Sequence, residues 1–383
     1  MLIYLDNNAT TRVAPEALEA MLPFLQESYG NAGSGHVLGH LSEGAVVHAR
    51  DQVAAMLGCS PAEILFNSGG TEGINHAFRG VFEAFPRKRH FIISAVEHPA
   101  VMAVCEWLTH QGADITSLGV DSEGRLDLAE LEASIRPDTA LVSLMAANNE
   151  SGVLFPLEQA AQIVKQKGAL LHVDATQAMG KAPLDLARLP IDLLNFSGHK
   201  FHGPKGTGVL FIRRGVRLKS FMLGGHQERG RRGGTENVPG IAGLGKACEL
   251  AAEHLPQAGA MAQLRDLLES TVRSTIQGLH IHGAGAPRLP NTSFLGFKGL
   301  EGEALLLKLS ERGVCVSTGS ACTTGQKEPS HVLRAMGVPM EFALGTIRVS
   351  LSRYTTREEI QTASGLLPGI VEDLRGSGLY KRA

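Results

Sequence analysis

The chain has 383 residues, 19% of them charged, and a formal net charge of −2. That length can bury a large core in two or three domains, and the near-neutral balance excludes a protein that binds nucleic acid or an anionic membrane through bulk charge. No apolar run approaches the ~18 residues of a membrane span, and the N-terminus lacks signal-peptide organisation. The five cysteines, widely spaced and without a C-x-x-C pair, make neither a disulfide framework nor a self-contained zinc site, so a reducing cytoplasm is expected.

Pro15 to Tyr29 has helical periodicity with proline near its start. Gly30 to His36, with three glycines, reads as a flexible loop, and Ser42 to Leu57 as a second helix. From Glu63 onward short apolar runs alternate with helical segments. The predicted strands are Ile64–Phe66, His90–Ser94, Asp114–Leu118, Ala140–Ala146, Leu170–Val173, Asp192–Phe196 and Gly208–Ile212. Helices at Thr71–Phe85, Pro99–His110, Leu126–Ile135 and Leu157–Lys167 separate the first five. Such alternation implies crossover units and a mostly parallel sheet of about seven strands, covered on both faces. After Gly240 the texture changes. Helices are expected at Ile241–Leu255, Met261–Ile276, Glu301–Glu311 and after Thr356, and strands at Asn291–Phe297, Val314–Ser317 and Thr346–Leu351. This reads as a smaller α+β domain with its boundary near residue 255.

The chemistry centres on Ser197-Gly198-His199-Lys200, set between two buried strand patterns. A lysine in such a turn can be desolvated, which favours the neutral amine that forms a Schiff base. Ser197 and His199 beside it suit a phosphate. A glycine-rich turn with solvated lysines is the plainer alternative. Asp174 favours the first reading, because it ends the Leu170–Val173 strand, at the sheet edge where ligands bind. An aspartate that keeps a pyridinium nitrogen protonated and a lysine that holds an aldehyde are two requirements of pyridoxal phosphate chemistry. Ser68-Gly69-Gly70-Thr71-Glu72 follows a strand and opens a helix, an arrangement that attracts an anion, though weak evidence alone. Arg348 sits in an apolar strand, where a charge is costly unless paired.

With these motifs, and from Tyr4-Leu5-Asp6-Asn7-Asn8-Ala9-Thr10-Thr11 to Arg348-Val349-Ser350-Leu351-Ser352, the chain resembles the cysteine desulfurases. They belong to the class V aminotransferase superfamily of fold-type I pyridoxal-phosphate enzymes, and the likeness is greatest to the NifS branch. The resemblance implies a large cofactor-binding domain at 15–255 and a small domain made of 1–14 with 256–383. It implies pyridoxal 5′-phosphate bound to Lys200 as a Schiff base, with Gly70 and Thr71 in the phosphate cup. His98 stacks on the ring and moves protons, a task its ordinary pKa suits. Asn149 lies near the phenolic oxygen and the substrate carboxylate, Gln177 partners the phenolic oxygen, and Arg348 clamps the substrate α-carboxylate. Thr235, in the glycine- and arginine-rich stretch 224–237, reaches the phosphate in the partner subunit, which implies a homodimer with shared sites.

Cys322 lies in the small-residue stretch Thr318-Gly319-Ser320-Ala321-Cys322-Thr323-Thr324-Gly325, unlike Cys105 and Cys248 in helical patterns, Cys315 in a strand pattern and Cys59 after a helix end. These four read as structural thiols. By resemblance Cys322 takes sulfur from L-cysteine as a persulfide, leaving L-alanine. It would then pass the sulfur to an iron–sulfur scaffold protein and serve as a transient ligand of the forming cluster. Relatives usually carry proline and paired serines where Gly30 to His36 stands, and often serine at Gly73. A selenocysteine lyase, another class V aminotransferase-type enzyme and a non-catalytic sulfur-relay subunit are the competing readings.

Overall fold

The computed structural model describes residues 2–318 and 328–376. In chain order it begins with β1 (Ile3–Tyr4), α1 (Pro15–Gln26) and α2 (Val37–Leu57). There follow β2 (Ile64–Asn67), α3 (Gly70–Ala84), β3 (His90–Ser94), α4 (Pro99–His110), β4 (Asp114–Leu118), α5 (Leu128–Ser134), β5 (Thr139–Met145), α6 (Leu157–Gln166), β6 (Leu170–Asp174), β7 (Leu193–Ser197) and β8 (Gly208–Ile212). These seven strands form one sheet in the order β2-β8-β7-β6-β5-β3-β4. Only β8 runs against its neighbours β2 and β7; the remaining pairs are parallel.

Except in the edge strand β4, which is only partly buried, the near-continuous apolar runs of these strands are explained by burial on both faces. Along β8, Val209 and Phe211 point into one core, while Leu210 and Ile212 point into the other. The first core includes Val53 and Leu57 of α2 and Val164 of α6; the second is closed by Ile74, Phe78 and Val81 of α3 and Val104 and Leu108 of α4. β2 to β8 match the expected strands to within two residues.

The later elements are α7 (Val238–His254), α8 (Ala258–Thr275), β9 (Leu279–Ile281), β10 (Thr292–Phe297), α9 (Gly302–Glu311), β11 (Val314–Cys315), β12 (Ser317–Thr318), α10 (His331–Ala335), α11 (Met340–Ala343), β13 (Thr346–Ser350) and α12 (Arg357–Gly376). An antiparallel sheet of order β12-β13-β10-β9 packs with α8, α9 and α12 around a third core. Ile3 and Leu5 belong to this core, and β1 pairs in parallel with β11.

Two expectations change. The single strand at Val314–Ser317 is two: β11 pairs with β1, and beyond Val316 the chain joins β13 as β12. The second helix begins at Val37, because the His36 imidazole accepts the Gly39 N–H and caps it. The glycines before it are also not all there for freedom: a Cβ at Gly30 would stand 2.5 Å from the Leu38 carbonyl carbon.

Candidate active site

Three parallel strands end side by side on one edge of the large sheet, β5 at Met145, β6 at Asp174 and β7 at Ser197. Together with the turn after β2 and with β13 they enclose a cavity of about 270 Å³. Ten of the twelve residues singled out in the sequence line it: Gly70, Thr71, His98, Asn149, Asp174, Gln177, Ser197, His199, Lys200 and Arg348. Thr235 does not. It is exposed on the segment before α7, away from this chain's own cavity. Cys322 lies outside the described residues.

Lys200 ends a short 3-10 turn directly after β7. Its Nζ donates to the carbonyls of Asn8 and Ala9, both at 2.8 Å. Burial and then the Arg348 charge lower its pKa to about 8, against the opposing pull of Asp174 and Asp6. Two peptide carbonyls of the N-terminal segment thus aim the amine into the cavity without a salt bridge that would hold it charged.

Asp174 is 6% exposed. Its Oδ1 accepts from the Thr176 N–H and from Asn195 Nδ2, each at 3.0 Å. Among the described residues none donates to Oδ2. The Asn195 Oδ1 lies 2.7 Å from His172 Nε2, and His172 Nδ1 lies 2.8 Å from Ser143 Oγ. Burial holds the His172 pKa down to about 4, so this imidazole is neutral near pH 7. Asp174 is therefore gripped by a neutral network that fixes its direction while one oxygen stays available. Asn195 and His172 were not singled out in the sequence. Their signal is present all the same: polar side chains inside otherwise apolar strand runs.

At the other end, Gly69 turns with φ +144° and α3 begins at Gly70. The Gly70 N–H donates to Ser197 Oγ at 2.7 Å. Glu72 in the first helical turn accepts from the Ser68 N–H at 2.9 Å and from Arg232 Nε at 2.9 Å. Burial alone would raise the Glu72 pKa, but the Arg232 and Ser68 hydrogen bonds outweigh it and hold it low. His199, with Nδ1 3.1 Å from Thr10 Oγ1, is pushed down to about 4 by burial and by Lys200, Lys205 and Lys181. It is a neutral polar wall.

His98 stands at the open side of the cavity. Its Nδ1 accepts the Ala100 N–H at 3.1 Å, so the neutral ring carries its proton on Nε2. Desolvation lowers its pKa; Asp174 opposes this, while Lys200 and His331 reinforce it. Beneath it Glu97 is fully buried, accepts from Ser94 Oγ at 2.7 Å and the Met145 N–H at 3.0 Å, and leaves Oε2 without a partner. Its pKa rises to about 8, through burial above all.

The charge of Arg348 within its strand is paired as expected. One guanidinium nitrogen donates to Asp6 Oδ1 at 2.8 Å, another to the Asn149 carbonyl at 3.0 Å, and Nε has no partner. Asn149 Oδ1 is likewise buried and unpaired. Gln177 Nε2 donates to the Asn8 carbonyl, and its Oε1 accepts from Lys181 Nζ, both at 3.0 Å. The segment that carries Cys322 leaves the described structure after β12, whose Ser317 pairs with Arg348. It returns at Glu328, near which Ser330 Oγ donates to Glu150 Oε2 at 2.5 Å and His331 Nε2 lies 2.8 Å from the Glu97 carbonyl.

This cavity fits pyridoxal phosphate. It offers a carbonyl-held amine, an aspartate with a free oxygen and an imidazole at the mouth. Its helix N-terminus is open because position 70 is glycine: a Cβ there would meet Thr176 Oγ1 at 3.0 Å and Ser197 Oγ at 3.2 Å. The orphaned Arg348 Nε is a donor that a ligand carboxylate would satisfy, and the orphaned Asn149 Oδ1 is an acceptor that a ligand O–H or N–H would satisfy.

A family model described as aminotransferase class-V matches residues 3–362. A cysteine desulfurase of Nostoc sp. is 53% identical over 380 residues, covering 99% of this chain and 95% of that protein. Among solved structures, one described as a NifS-like protein is 43% identical, with a TM-score of 0.92, covering 98% of this chain and all of that one. Another, SspA in complex with cysteine, is 34% identical with a TM-score of 0.82 over 92% of this chain and all of that one. On the match along nearly its whole length and the cavity built to suit the cofactor, the chain belongs to the class-V aminotransferase family, among its pyridoxal-phosphate-dependent, NifS-like cysteine desulfurases.

Proposed function

We propose that the protein converts L-cysteine to L-alanine and takes the sulfur as a persulfide on Cys322, for delivery to an iron–sulfur scaffold protein. The observation that carries this is the convergence of Lys200, Asp174 and Arg348 on one cavity, with both ends of the Cys322 segment anchored beside it. Residues 15–255 form the cofactor-binding unit, and 1–14 with 256–383 the unit that brings Arg348 and Cys322.

When bound, pyridoxal phosphate supplies an electron sink that makes the substrate α-proton removable. Gly70, Thr71, Ser197 and His199 would hold its phosphate, Asp174 its ring nitrogen, and Gln177 and Asn149 its phenolic oxygen. Arg348 and Asn149 bind and orient the substrate carboxylate. Lys200, with its amine pKa lowered to about 8, moves the proton at the substrate α-carbon. His98 moves protons at the substrate: with Nδ1 held by the Ala100 N–H, its Nε2–H is the group that can give one up. The Cys322 thiolate, the reactive form, attacks the substrate sulfur: the carbon–sulfur bond breaks, a sulfur–sulfur bond forms, and the carbon skeleton leaves protonated as alanine. Neither oxidant nor reductant is consumed until the persulfide is discharged. During that discharge Cys322 becomes a transient ligand of the cluster being built. Its exposure on a lone chain suits Thr235 to a site completed by a second copy, in a cytoplasmic homodimer.

The test is alanine formation from L-cysteine, with reductant present, by the wild type and by Cys322→Ala. Cofactor bound in both, but alanine formed only by the wild type, is the expected result. Equal alanine from both would remove the persulfide role and leave a lyase or transaminase of another amino acid.

A further inference from the structure

A second cavity, of about 160 Å³, lies on the far side of Lys200, between the turn after β7, the end of α7, the start of α8 and the segment after β13. Five of its lining side chains are basic or imidazole, Lys181, Lys200, His202, His254 and Arg353, and none is acidic. Lys181 is only 8% exposed. Its Nζ has one partner among the described residues, the neutral Gln177 Oε1 at 3.0 Å, and no carboxylate. Arg353, partly exposed, donates to the Tyr354 hydroxyl at 3.0 Å and lies 3.5 Å from His254 Nδ1, also with no carboxylate partner among the described residues.

A buried cation without a counter-charge is costly, and it is relieved either by losing its proton or by gaining an anion. Burial and the charges of Lys200 and Arg348 bring the Lys181 pKa down to about 7, so near neutrality both routes are open. His202 offers no further charge there, since burial keeps its pKa at about 4.

We propose that this cavity binds a small inorganic oxyanion, of the size and charge of sulfate, against Lys181 and Arg353. The planar fork of a guanidinium matches paired oxygens better than a halide. Because protonated Lys181 is the favoured partner, binding weakens as pH rises above about 7, by up to about tenfold per pH unit. Lys200 forms the common wall of both cavities, which places the anion directly behind the proposed cofactor lysine. Binding itself does not depend on the desulfurase reading.

The experiment is calorimetric titration of the cofactor-loaded protein with sodium sulfate, against sodium chloride at matched ionic strength. Excess L-alanine is present to occupy the carboxylate site at Arg348. One sulfate per chain, no comparable chloride binding, and at least tenfold weaker binding in Arg353→Gln are expected. Lys181→Met should weaken binding and flatten its pH dependence. If that buried variant does not fold, Arg353→Gln, at a partly exposed position, tests the proposal by itself. Sulfate binding no better than chloride, unchanged in Arg353→Gln, or abolished by L-alanine overturns the proposal.

Discussion

Lys200 and Arg348 share one cavity, and the protein treats their charges in opposite ways. Arg348 is tied to Asp6 at 2.8 Å, while Lys200 is given only carbonyls. Burial and the nearby Arg348 charge make that amine lose its proton easily, and only the neutral form can attack an aldehyde. Uptake of pyridoxal phosphate by the apo-protein should therefore accelerate as pH rises through about 8, which stopped-flow absorbance would follow. A flat profile from pH ~6 to ~9 would contradict the assignment. Arg348→Lys keeps the charge but loses the fork; a charge-assisted bond worth about 1.5–3 kcal/mol corresponds to a rise of roughly 10- to 100-fold in KM for L-cysteine. Glu97 makes a different prediction. Its folded-state pKa of about 8 lies above that of an unfolded carboxyl. Its contribution to stability is thus complete below the ordinary carboxyl range and is lost as pH rises towards 8. Glu97→Gln keeps an acceptor for Ser94 and Met145, so its melting temperature should fall less than the wild type's between pH ~5 and ~8.

At the scale of elements, one contact holds the turn after β2 and a second the stretch before α7. Gly208 at the start of β8 lies so near the turn that a Cβ would stand 2.5 Å from Gly69 Cα and 2.5 Å from the Phe196 carbonyl. Gly208→Ala must push the turn away from Ser197. The expected result is weaker cofactor retention on dialysis with the circular dichroism of the fold preserved. The second contact pins the arginine-rich stretch before α7. Glu228, buried and at φ 47°, takes two hydrogen bonds from Arg50 at 2.7 and 2.9 Å and one from the Phe66 N–H at 3.1 Å. Glu228→Ala leaves the Arg50 charge uncompensated and should cost about 3–5 kcal/mol in denaturant unfolding. A loss below about 1 kcal/mol would show that the pair is solvated in solution.

For the whole molecule, the position of Thr235 decides the assembly. If it completes the partner's site, Lys200→Ala and Thr235→Ala chains are each deficient alone, yet a hybrid dimer contains one intact site. Mixing the two after reversible dissociation should restore about a quarter of wild-type alanine formation, because about half of randomly paired dimers are hybrids with one working site. No recovery, with hybrids demonstrated by mass, would place Thr235 outside the partner's site.

Short apolar runs, helical periodicity and the turn residues between them made the strands of the large sheet and the helices separating them legible in the sequence, and spacing put Asp174, Ser197 and Lys200 at its carboxyl edge. Those features are local, so the sequence carries them directly. The contacts that tune the site are not local. Asp6 and Arg348 lie 342 residues apart in the chain, and the carbonyls of Asn8 and Ala9 reach Lys200 across 192 and 191 residues. Asn195 and His172 look like flaws in apolar strands until β6 and β7 pair and bring them to Asp174. The second basic cavity exists only where α7, α8 and the segment after β13 meet behind Lys200. Residue order dictated which chemical groups are present and on which strands. Tertiary packing decided their partners and burial, and therefore their charge, because desolvation and long-range pairing depend on every element around a group and leave no trace in the residues beside it.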